Sequence, residues 1–434
     1  MGHYVPHTDD EIATMLASIG LSSLDELFDV VPDALRLAAG LDMAPGLSEY
    51  DTADEMVRLA DRNRTDLVCF AGGGAYDHDV PSAVRRVAFR TEFVTAYTPY
   101  QPEVAQGVLQ ALFEYQTLVA RLAGVEVANA SLYDGATACV EAVNLAVAAT
   151  GRQTVWVSGG VHDTWRDTVR TFAAGTGHEL VDVPLVDGRT SWPADGAPGA
   201  ILLQHPNKLG CIEDLAEARA VADRTGALLL VAFDPVASGL LRTPGSLGAD
   251  VVVGEGQPFG TPLSFGGPYL GLFTCRLEHV RRLPGRLVGE TVDVADRRAY
   301  VTTLRTREQD IRREKASSNV CTNQTLIAVV CAIQLSWLGT AGLRELALRC
   351  ARATRATHDA VLGIDGVTPM ATAPYFREFG INLPLEPGVV VERMAEEGFL
   401  AGVPTDGGLV VAATERRTAA QIDAYADALR KVLS

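Results

Sequence analysis

The chain has 434 residues, 47% of them hydrophobic, with 41 glycines and 21 prolines, which is long enough for one large core and a smaller domain. Its formal net charge is −17 and its isoelectric point is near 4.9. Nucleic acid and anionic membranes bind basic surfaces, so this charge excludes a general affinity for either one. The composition predicts an ordinary soluble globular protein.

The seven cysteines show no C-x-x-C pair and mostly lie in apolar runs such as residues 66–70. This pattern favours reduced core residues in a cytosol. We identify no apolar stretch of transmembrane length, and residues 1–8 lack the basic and apolar regions of a signal peptide. The sequence therefore predicts a cytoplasmic protein without a membrane partner.

Short helical patterns occupy the beginning of the chain. Thr8 and Glu11 have the spacing of a capping box, in which each side chain bonds the backbone N–H of the other. A glycine-rich turn follows at residues 70–76. We predict a helical N-terminal arm and linker over residues 1–90.

The next part of the chain alternates β-rich runs with helical patterns. A helix is predicted from Pro102 to about Leu122, because proline suits a first turn and Gly124 provides a stop. Nearly continuous apolar runs separated by helices predict a mostly parallel, seven-stranded sheet covered on both faces. Strands are predicted at 154–157, 180–184, 200–204, 227–233, 251–254 and 270–274. We assign residues 91–338 to this large α/β domain.

A helical stretch at about 319–338 leads into the last part of the chain, with strands near 376–383 and 408–413. The closing helix starts at a capping box formed by Thr418 and Gln421. It carries one apolar stripe, made of Ile422, Tyr425, Leu429 and Val432. Residues 339–434 are assigned to a small C-terminal α/β domain.

Three polar features follow predicted strands or turns. Asp134 opens a helix whose first amides, at Gly135, Ala136 and Thr137, suit a phosphate, because free N–H groups and the helix dipole favour an anion. An ordinary cap by Asp134 is the alternative. His162 follows a strand and suits stacking on a cofactor ring, or is a lone histidine. Asp234 ends a strand and suits pairing with a pyridinium nitrogen, or caps a turn.

The fourth feature is a glutamine. Features in this order are typical of pyridoxal-phosphate enzymes of the aspartate aminotransferase type, fold type I, which need a lysine amine on the loop at 254–268. That loop carries Gln257, and an amide nitrogen cannot form an imine. The chain has only three lysines, Lys208, Lys315 and Lys431, and none lies in this loop. The sequence therefore predicts no catalytic residue of this type on the chain.

The densest charged segment, residues 305–319, contains Arg305, Arg307, Arg312 and Arg313. Paired arginines can hold carboxylates through two parallel hydrogen bonds, so this segment suits an acidic partner or a substrate. A network of salt bridges is the alternative. We predict no metal site, because consecutive residues such as those around His78 do not all face one ion.

Several longer segments resemble one family. They are TAYTPYQPEV (95–104), EYQT (114–117), ANASLYD (128–134), LPGRLV (283–288), ETVD (290–293), TREQ (306–309) and IRREKA (311–316). Together they closely resemble the P-protein of the glycine cleavage system, glycine dehydrogenase (decarboxylating). The resemblance spans nearly the whole chain and is more specific to subunit 1, the α chain of the split form.

This resemblance implies a pyridoxal-phosphate fold in both subunits, with the cofactor lysine only on subunit 2. It implies an oxidoreductase that decarboxylates glycine and transfers the aminomethyl group to the lipoyl arm of H-protein, in an α2β2 heterotetramer. Pyridoxal phosphate would be bound by the partner, and none would be attached covalently to this chain. Gln257 agrees with that expectation.

The residues expected to reach the partner's pocket or interface are Tyr97, Tyr100, Gln101 and Glu103, together with the four arginines of residues 305–319. Rigid rings with hydroxyl tips on a proline-stiffened loop suit a shared pocket, or only pack the dimer seam. Two other functions stay open. One is a self-sufficient homodimeric enzyme that uses another lysine, and the other is a regulatory or scaffolding homologue that binds a metabolite in the vacant site.

Overall fold

The computed structural model describes residues 6–36, 41–95, 98–304 and 309–434. Tyr97, Arg305 and Arg307 lie outside the described residues. The chain divides into two compact units, residues 1–65 and 66–434. The domain boundaries expected at residues 90 and 338 stay predictions.

The first unit contains two helices, α1 (Asp9–Ser18) and α2 (Glu49–Ala60). Helix α1 begins at the predicted capping box, which is confirmed: the Thr8 N–H donates to the Glu11 carboxylate at 2.8 Å, and the Glu11 N–H donates to the Thr8 hydroxyl at 3.3 Å. Ser48 caps α2 in a similar way, by accepting from the Asp51 N–H. Both helices therefore start where short polar side chains satisfy free backbone N–H groups.

The helices of the second unit are α3 (Ser82–Ala88), α4 (Thr91–Val94), α5 (Gln106–Ala123), α6 (Gly135–Thr150), α7 (Asp163–Thr176), α8 (Leu215–Thr225), α9 (Gln309–Arg312), α10 (Thr325–Leu362), α11 (Pro387–Glu396) and α12 (Ala419–Leu433). Its strands are β1 (Val68–Cys69), β2 (Val127–Ala128), β3 (Thr154–Ser158), β4 (Glu179–Val183), β5 (Leu185–Val186), β6 (Arg189–Thr190), β7 (Ala200–His205), β8 (Leu228–Phe233), β9 (Val251–Glu255), β10 (Gly271–Cys275), β11 (Leu287–Val292), β12 (Arg298–Thr303), β13 (Thr368–Pro369), β14 (Glu378–Asn382), β15 (Phe399–Leu400), β16 (Val403–Thr405) and β17 (Gly408–Ala412).

The central sheet has seven strands in the order β2-β10-β9-β8-β7-β3-β4. Neighbours from β9 to β4 are parallel, and β10 is antiparallel to both β9 and β2. The predicted mostly parallel, seven-stranded sheet is confirmed. Strand β2 was missed because two residues carry no detectable period. The carboxyl ends of parallel strands share one edge of a sheet, so the loops after β3, β8 and β9 lie together.

Two predicted helices differ from the structure at their ends. Residues Pro102–Val104 form one turn of 3-10 helix, and α5 starts only at Gln106, because Ala105 has a non-helical φ of −122°. The predicted start is therefore wrong by about one turn. The predicted stop is correct, since Gly124 has a φ of +77°. The second helix, α10, extends beyond the predicted 319–338 and is interrupted at Gly339, which has a φ of +58°.

Helix α10 also contradicts the expectation that no apolar segment of the chain is long enough to cross a membrane. Among the described helices, α10 is the one that is long and apolar enough to cross a bilayer. A core helix of a globular protein meets the same criterion. Ile327, Ala328 and Cys331 on this helix are buried and belong to the largest core cluster, and their burial explains the apolar composition.

The C-terminal part forms a four-stranded antiparallel sheet, β13-β14-β17-β16, with a core of its own. The capping box at Thr418 and the buried stripe of α12 are confirmed. Phe70, from the start of the unit, stacks on Tyr425 with ring centroids 4.1 Å apart. The Gly73 N–H donates to Glu378 and the Tyr76 N–H donates to Gln257, so the glycine-rich turn contacts both the N-terminal end of β14 and the loop after β9.

Candidate functional site

Two of the predicted cofactor residues, His162 and Asp234, line one small cavity. It has a volume of about 30 Å³, which is room for one or two water molecules. Its walls come from the carboxyl edge of the central sheet, the glycine-rich turn and the N-terminal end of β14. The lining residues are Gly74, Tyr76, His162, Trp165, Gln204, Pro206, Gly210, Phe233, Asp234, Pro235, Glu255, Phe376, Arg377 and Glu378.

Gln257 lies beside this cavity and is completely buried. Its side-chain nitrogen donates to the backbone carbonyls of Tyr76 at 3.0 Å and Thr261 at 2.7 Å. Its side-chain oxygen accepts from the Tyr76 N–H at 3.0 Å. Both amide N–H groups and the amide oxygen are thus used within the chain. These hydrogen bonds hold the segment at Tyr76 against the loop after β9, so Gln257 has a structural role.

A carboxylate of the chain itself lies at the start of α6. Glu255 accepts hydrogen bonds from the backbone N–H groups of Gly135, Gln257 and Leu270, each at 2.9 Å. Burial raises the pKa of Glu255 to about 8, although these three donors act in the opposite direction. The group that the N-terminus of α6 binds is therefore a carboxyl side chain of the same chain.

The other predicted group at this helix start acts as a cap. The Asp134 carboxylate accepts from the Thr137 N–H at 2.7 Å, and the Thr137 hydroxyl reaches back to the Asp134 backbone. With Glu255 on the Gly135 N–H, two of the three predicted phosphate-binding amides donate to carboxyl groups of the chain.

Asp234 is paired with a buried arginine. Its carboxylate lies 2.7 Å from Nε of Arg377, and the two side chains are 11% and 3% exposed. The Arg377 guanidinium lies over the Tyr76 ring, 3.4 Å from its centroid, in a cation–π arrangement. Asp234 also accepts from the Val236 N–H at 2.9 Å, so the predicted turn cap is present as well.

Glu378, the neighbour of this arginine, connects β14 to the glycine-rich turn. It accepts a hydrogen bond from the Tyr76 hydroxyl and another from the Gly73 N–H at 2.9 Å. Burial raises the pKa of Glu378 to about 7, against the lowering effect of these bonds and of Arg377. The buried Arg377 guanidinium therefore favours the charged form of two buried carboxyl groups, those of Glu378 and Asp234.

A second group of polar side chains continues outward from this arginine. His78 accepts from Arg377 through Nε2, and its Nδ1 lies 2.7 Å from the Glu415 carboxylate, which is also near Cys350. Arginine can only donate, so Nε2 carries no proton and Nδ1–H donates to Glu415. A metal ion bound to Nδ1 of His78 would require the ring proton to be on Nε2. That proton would then face the Arg377 N–H, which is also a donor. This tautomer argument favours a hydrogen-bond chain over a metal at these residues.

His162 lines the cavity as a neutral ring. Its ring is edge-on to Trp165, with centroids 5.6 Å apart, and its backbone N–H donates to the side chain of Gln204 at 3.0 Å. Burial lowers the pKa of His162 to about 4. The sequence placed this ring correctly at the carboxyl end of β3.

Pyridoxal phosphate does not fit this arrangement. The cavity is about 30 Å³, whereas small-molecule sites measure roughly 300–1,000 Å³. The acid that would pair with the cofactor nitrogen forms an ion pair with Arg377, and two of the three predicted phosphate amides donate to carboxyl groups of the chain. The cavity of this chain therefore lacks the space that the cofactor requires, and most of the polar groups predicted to bind it are paired within the chain.

The lysines do not replace the missing amine. Lys208 forms an ion pair with Asp163 at 2.7 Å, and Lys431 forms one with Glu397 at 2.7 Å. Lys315 is exposed. None of the three lines the cavity.

One glycine permits β14 to approach the sheet. A Cβ at Gly210 would overlap the backbone of Glu378, and Gly210 has a φ of +76°.

We expect Gly210→Ala to lower the free energy of unfolding by about 3 kcal/mol or more, because the backbone atoms of Glu378 cannot move aside without disturbing β14. Gly177→Ala is the matched control, since Gly177 has a φ of +77° and open space around it, so only about 1 kcal/mol of strain is expected. Equal losses in urea unfolding would contradict the close-approach argument.

The loop expected to reach a partner lies at another surface. Tyr100 is 53% exposed, and its hydroxyl accepts from Arg286 at 3.2 Å. Gln101 and Glu103 are exposed beside it, and an open groove of about 820 Å³ is lined by residues within 92–95 and 98–108. Arg312 and Arg313 are exposed on a different segment.

The sequence analysis missed several residues of the cavity and of the surface around Tyr100. Arg286 is buried, bonds the Cys321 carbonyl at 2.9 Å, and has no carboxylate partner among residues 98–304 and 309–434. Arg377 and Glu378 are adjacent charges inside an otherwise apolar strand, which is a detectable signal. Tyr76 had no such signal, because only the folded chain brings it near Gln257.

Comparisons with known proteins identify the family of this chain. A sequence profile of the "Glycine cleavage system P-protein" family matches residues 2–429. A relative from Prosthecochloris aestuarii, named "Probable glycine dehydrogenase (decarboxylating) subunit 1", is 45% identical over 438 residues, which cover 98% of this chain and 99% of the relative.

Solved structures extend the likeness to three dimensions. A crystal structure of glycine decarboxylase (P-protein) in an inhibitor-bound form has a TM-score of 0.94, 45% identity and full coverage of both chains. A sphingosine-1-phosphate lyase of Burkholderia pseudomallei shares the fold alone, with a TM-score of 0.61, 16% identity, and coverage of 92% of this chain and 93% of the lyase. The expected fold type I is confirmed. The full-length match to subunit 1 confirms the resemblance, and this chain belongs to the glycine cleavage system P-protein family.

Proposed function

We propose that this chain is the cofactor-free subunit of a split glycine cleavage P-protein. With a homologous second subunit, it forms an α2β2 enzyme that decarboxylates glycine and transfers the aminomethyl group to the lipoyl arm of H-protein. Pyridoxal phosphate is bound by the second subunit. The cytoplasmic location expected from the sequence is part of the same proposal.

One observation carries this proposal: in the loop where the sequence predicts the cofactor lysine, Gln257 is buried and its amide is fully hydrogen-bonded to the chain itself. Catalysis by imine formation requires a nucleophilic amine. A chain that matches subunit 1 over its whole length and lacks that amine fits a role in completing the active site of another chain.

The surface around Tyr100 is the best candidate for contact with the second subunit's pocket. A half-exposed ring there is held under the Arg286 guanidinium, 5.3 Å from the ring centroid. Because Arg286 is buried without a carboxylate among the described residues, its charge is available to an anionic group of a partner or substrate. The ring then presents its hydroxyl in a defined position.

Coexpression tests the proposal. We expect this chain and a candidate second subunit to copurify, and to catalyse exchange of CO2 with the carboxyl group of glycine when lipoylated H-protein is present. Each chain alone should be inactive or nearly so. If the pair is no more active than the second subunit alone, the proposal is wrong.

The small cavity argues against a homologue that regulates by binding a metabolite in the vacant site. A volume of about 30 Å³ admits water and no metabolite. Glycine binding to this chain alone, measured by calorimetry, would favour that alternative.

A further inference from the structure

The turn that carries Arg286 is fixed to the central sheet. The Asn129 side-chain nitrogen donates to the Pro284 carbonyl at 3.0 Å, and the Ala130 N–H donates to the Arg286 carbonyl at 2.8 Å. The Asn129 N–H in turn donates to the carbonyl of Phe273, in β10, at 3.1 Å. The backbone from which the Arg286 side chain extends is therefore held by the sheet.

The segment 321–324, which precedes α10, is attached to residues 130–133. Four hydrogen bonds join the two segments, and each one links a side chain of one segment to the backbone of the other. They join the Cys321 and Thr322 N–H groups to the Tyr133 hydroxyl (3.1 and 3.4 Å), the Asn323 side-chain nitrogen to the Ala130 carbonyl (2.6 Å), and the Gln324 N–H to the Ser131 hydroxyl (3.1 Å). The segment is thus held in one conformation without belonging to a helix or a strand.

The Arg286 guanidinium connects this segment to the loop that carries Tyr100. Its Nη2 donates to the Cys321 carbonyl at 2.9 Å and to the Tyr100 hydroxyl at 3.2 Å. Its Nη1 donates to the Asn323 side chain at 3.3 Å. A planar fork of donors can hold acceptors on two segments at fixed positions, whereas the single ammonium group of a lysine cannot. One buried side chain therefore sets the position of the Tyr100 hydroxyl relative to residues 321–323.

We propose that Arg286 is a positioning residue that holds Tyr100 and residues 321–323 in the geometry required by the second subunit's active site. This inference rests on the proposed function, because it takes the surface around Tyr100 as the part of this chain that reaches the partner's pocket. Arg286 acts through these two segments. Since a displacement of about 1 Å can lower a rate on the order of 100-fold, the loss of this connection lowers turnover more than affinity.

The test uses the assembled complex with the second subunit and lipoylated H-protein, and measures exchange of CO2 with the carboxyl group of glycine. We expect Arg286→Met to lower kcat at least tenfold, with the KM for glycine and the Kd between the subunits each within threefold of wild type. Arg286→Lys keeps the charge without the fork, so it should lower kcat about as much. Tyr100→Phe should lower kcat at least threefold in wild type and less than twofold in Arg286→Met, because the two residues act together.

A second readout does not depend on activity. Hydrogen–deuterium exchange of the peptide that contains residues 321–324, followed by mass spectrometry of the complex, should be at least tenfold faster in Arg286→Met. Arg298→Met is the matched control, since Arg298 lies 5.2 Å from the centroid of the Tyr300 ring and pairs with Glu290 at 2.9 Å. The control should change neither kcat nor the exchange of this peptide by more than twofold.

Different results overturn different statements. If the wild-type complex neither assembles nor exchanges CO2, the proposed function fails. If wild type is active and Arg286→Met keeps its kcat and its exchange rate, only the positioning role fails, even where the melting temperature falls. A raised KM for glycine with unchanged kcat, rescued by Arg286→Lys, would identify direct binding of the substrate carboxylate and also contradict the proposal.

Two conservative variants keep the proposal testable if Arg286→Met does not fold. Tyr100→Phe and Tyr133→Phe each remove one hydroxyl that receives these hydrogen bonds. Each should lower kcat at least threefold without weakening the binding of the second subunit more than threefold. If both variants keep the wild-type kcat, or if they weaken only subunit binding, the positioning role is wrong.

Discussion

Arg377→Met is expected to lower the free energy of unfolding by about 3–5 kcal/mol, the usual cost of breaking a buried ion pair on one side. The substitution removes the cation that lies between Asp234 and the Tyr76 ring, and it keeps a similar volume. The carboxylates of Asp234 and Glu378 would then stay buried without a positive charge. Urea unfolding followed by circular dichroism measures the loss.

Two controls separate this effect from a general loss of arginine. Arg349→Met removes an exposed ion pair with Glu345, so a change of less than about 1 kcal/mol is expected. Arg377→Met combined with Asp234→Asn should be more stable than Arg377→Met alone, because one of the unpaired charges is removed. If Arg377→Met unfolds at the same urea concentration as wild type, the buried network does not stabilise the fold.

Gln257→Lys is expected to remain inactive by itself and to bind no pyridoxal phosphate covalently. The new amine would face a cavity of about 30 Å³, while Glu255 and Arg377 occupy the groups that a cofactor would use. The variant should also be less stable by roughly 2–4 kcal/mol, since the Tyr76 N–H loses its acceptor and an amine is buried.

The measurements are incubation with pyridoxal phosphate, borohydride reduction and mass spectrometry of the peptide that contains position 257. Gln257→Met is the matched control, because it loses the same amide and cannot form an imine. Two results would contradict this prediction: cofactor attached covalently to the lysine variant, or glycine decarboxylation by that variant without a second subunit. Either one would show that the absent lysine is the only obstacle to cofactor binding.

Much of the architecture was predictable, because its signals are local. The apolar runs of β7, β8 and β9 identify buried parallel strands, and capping boxes at Thr8 and Thr418 mark helix starts within four residues. Errors occurred where the signal is short or interrupted. Strand β2 has only two residues. The turn at Pro102 does not continue into α5, because the backbone of Ala105 is not helical.

The absence of a lysine from the loop at 254–268 is visible in the sequence alone, and the order of the preceding features, with Gln257 in that loop, predicts that no imine forms there. The state of the vacated pocket is different. Tyr76 and Glu378 are 302 positions apart and bond to each other, and Asp234 pairs with Arg377 across two parts of the fold. Neither local period nor propensity encodes such pairings, since they arise only when distant segments are packed together. The tertiary structure alone therefore shows that the chain's own charged groups occupy the space around this cavity.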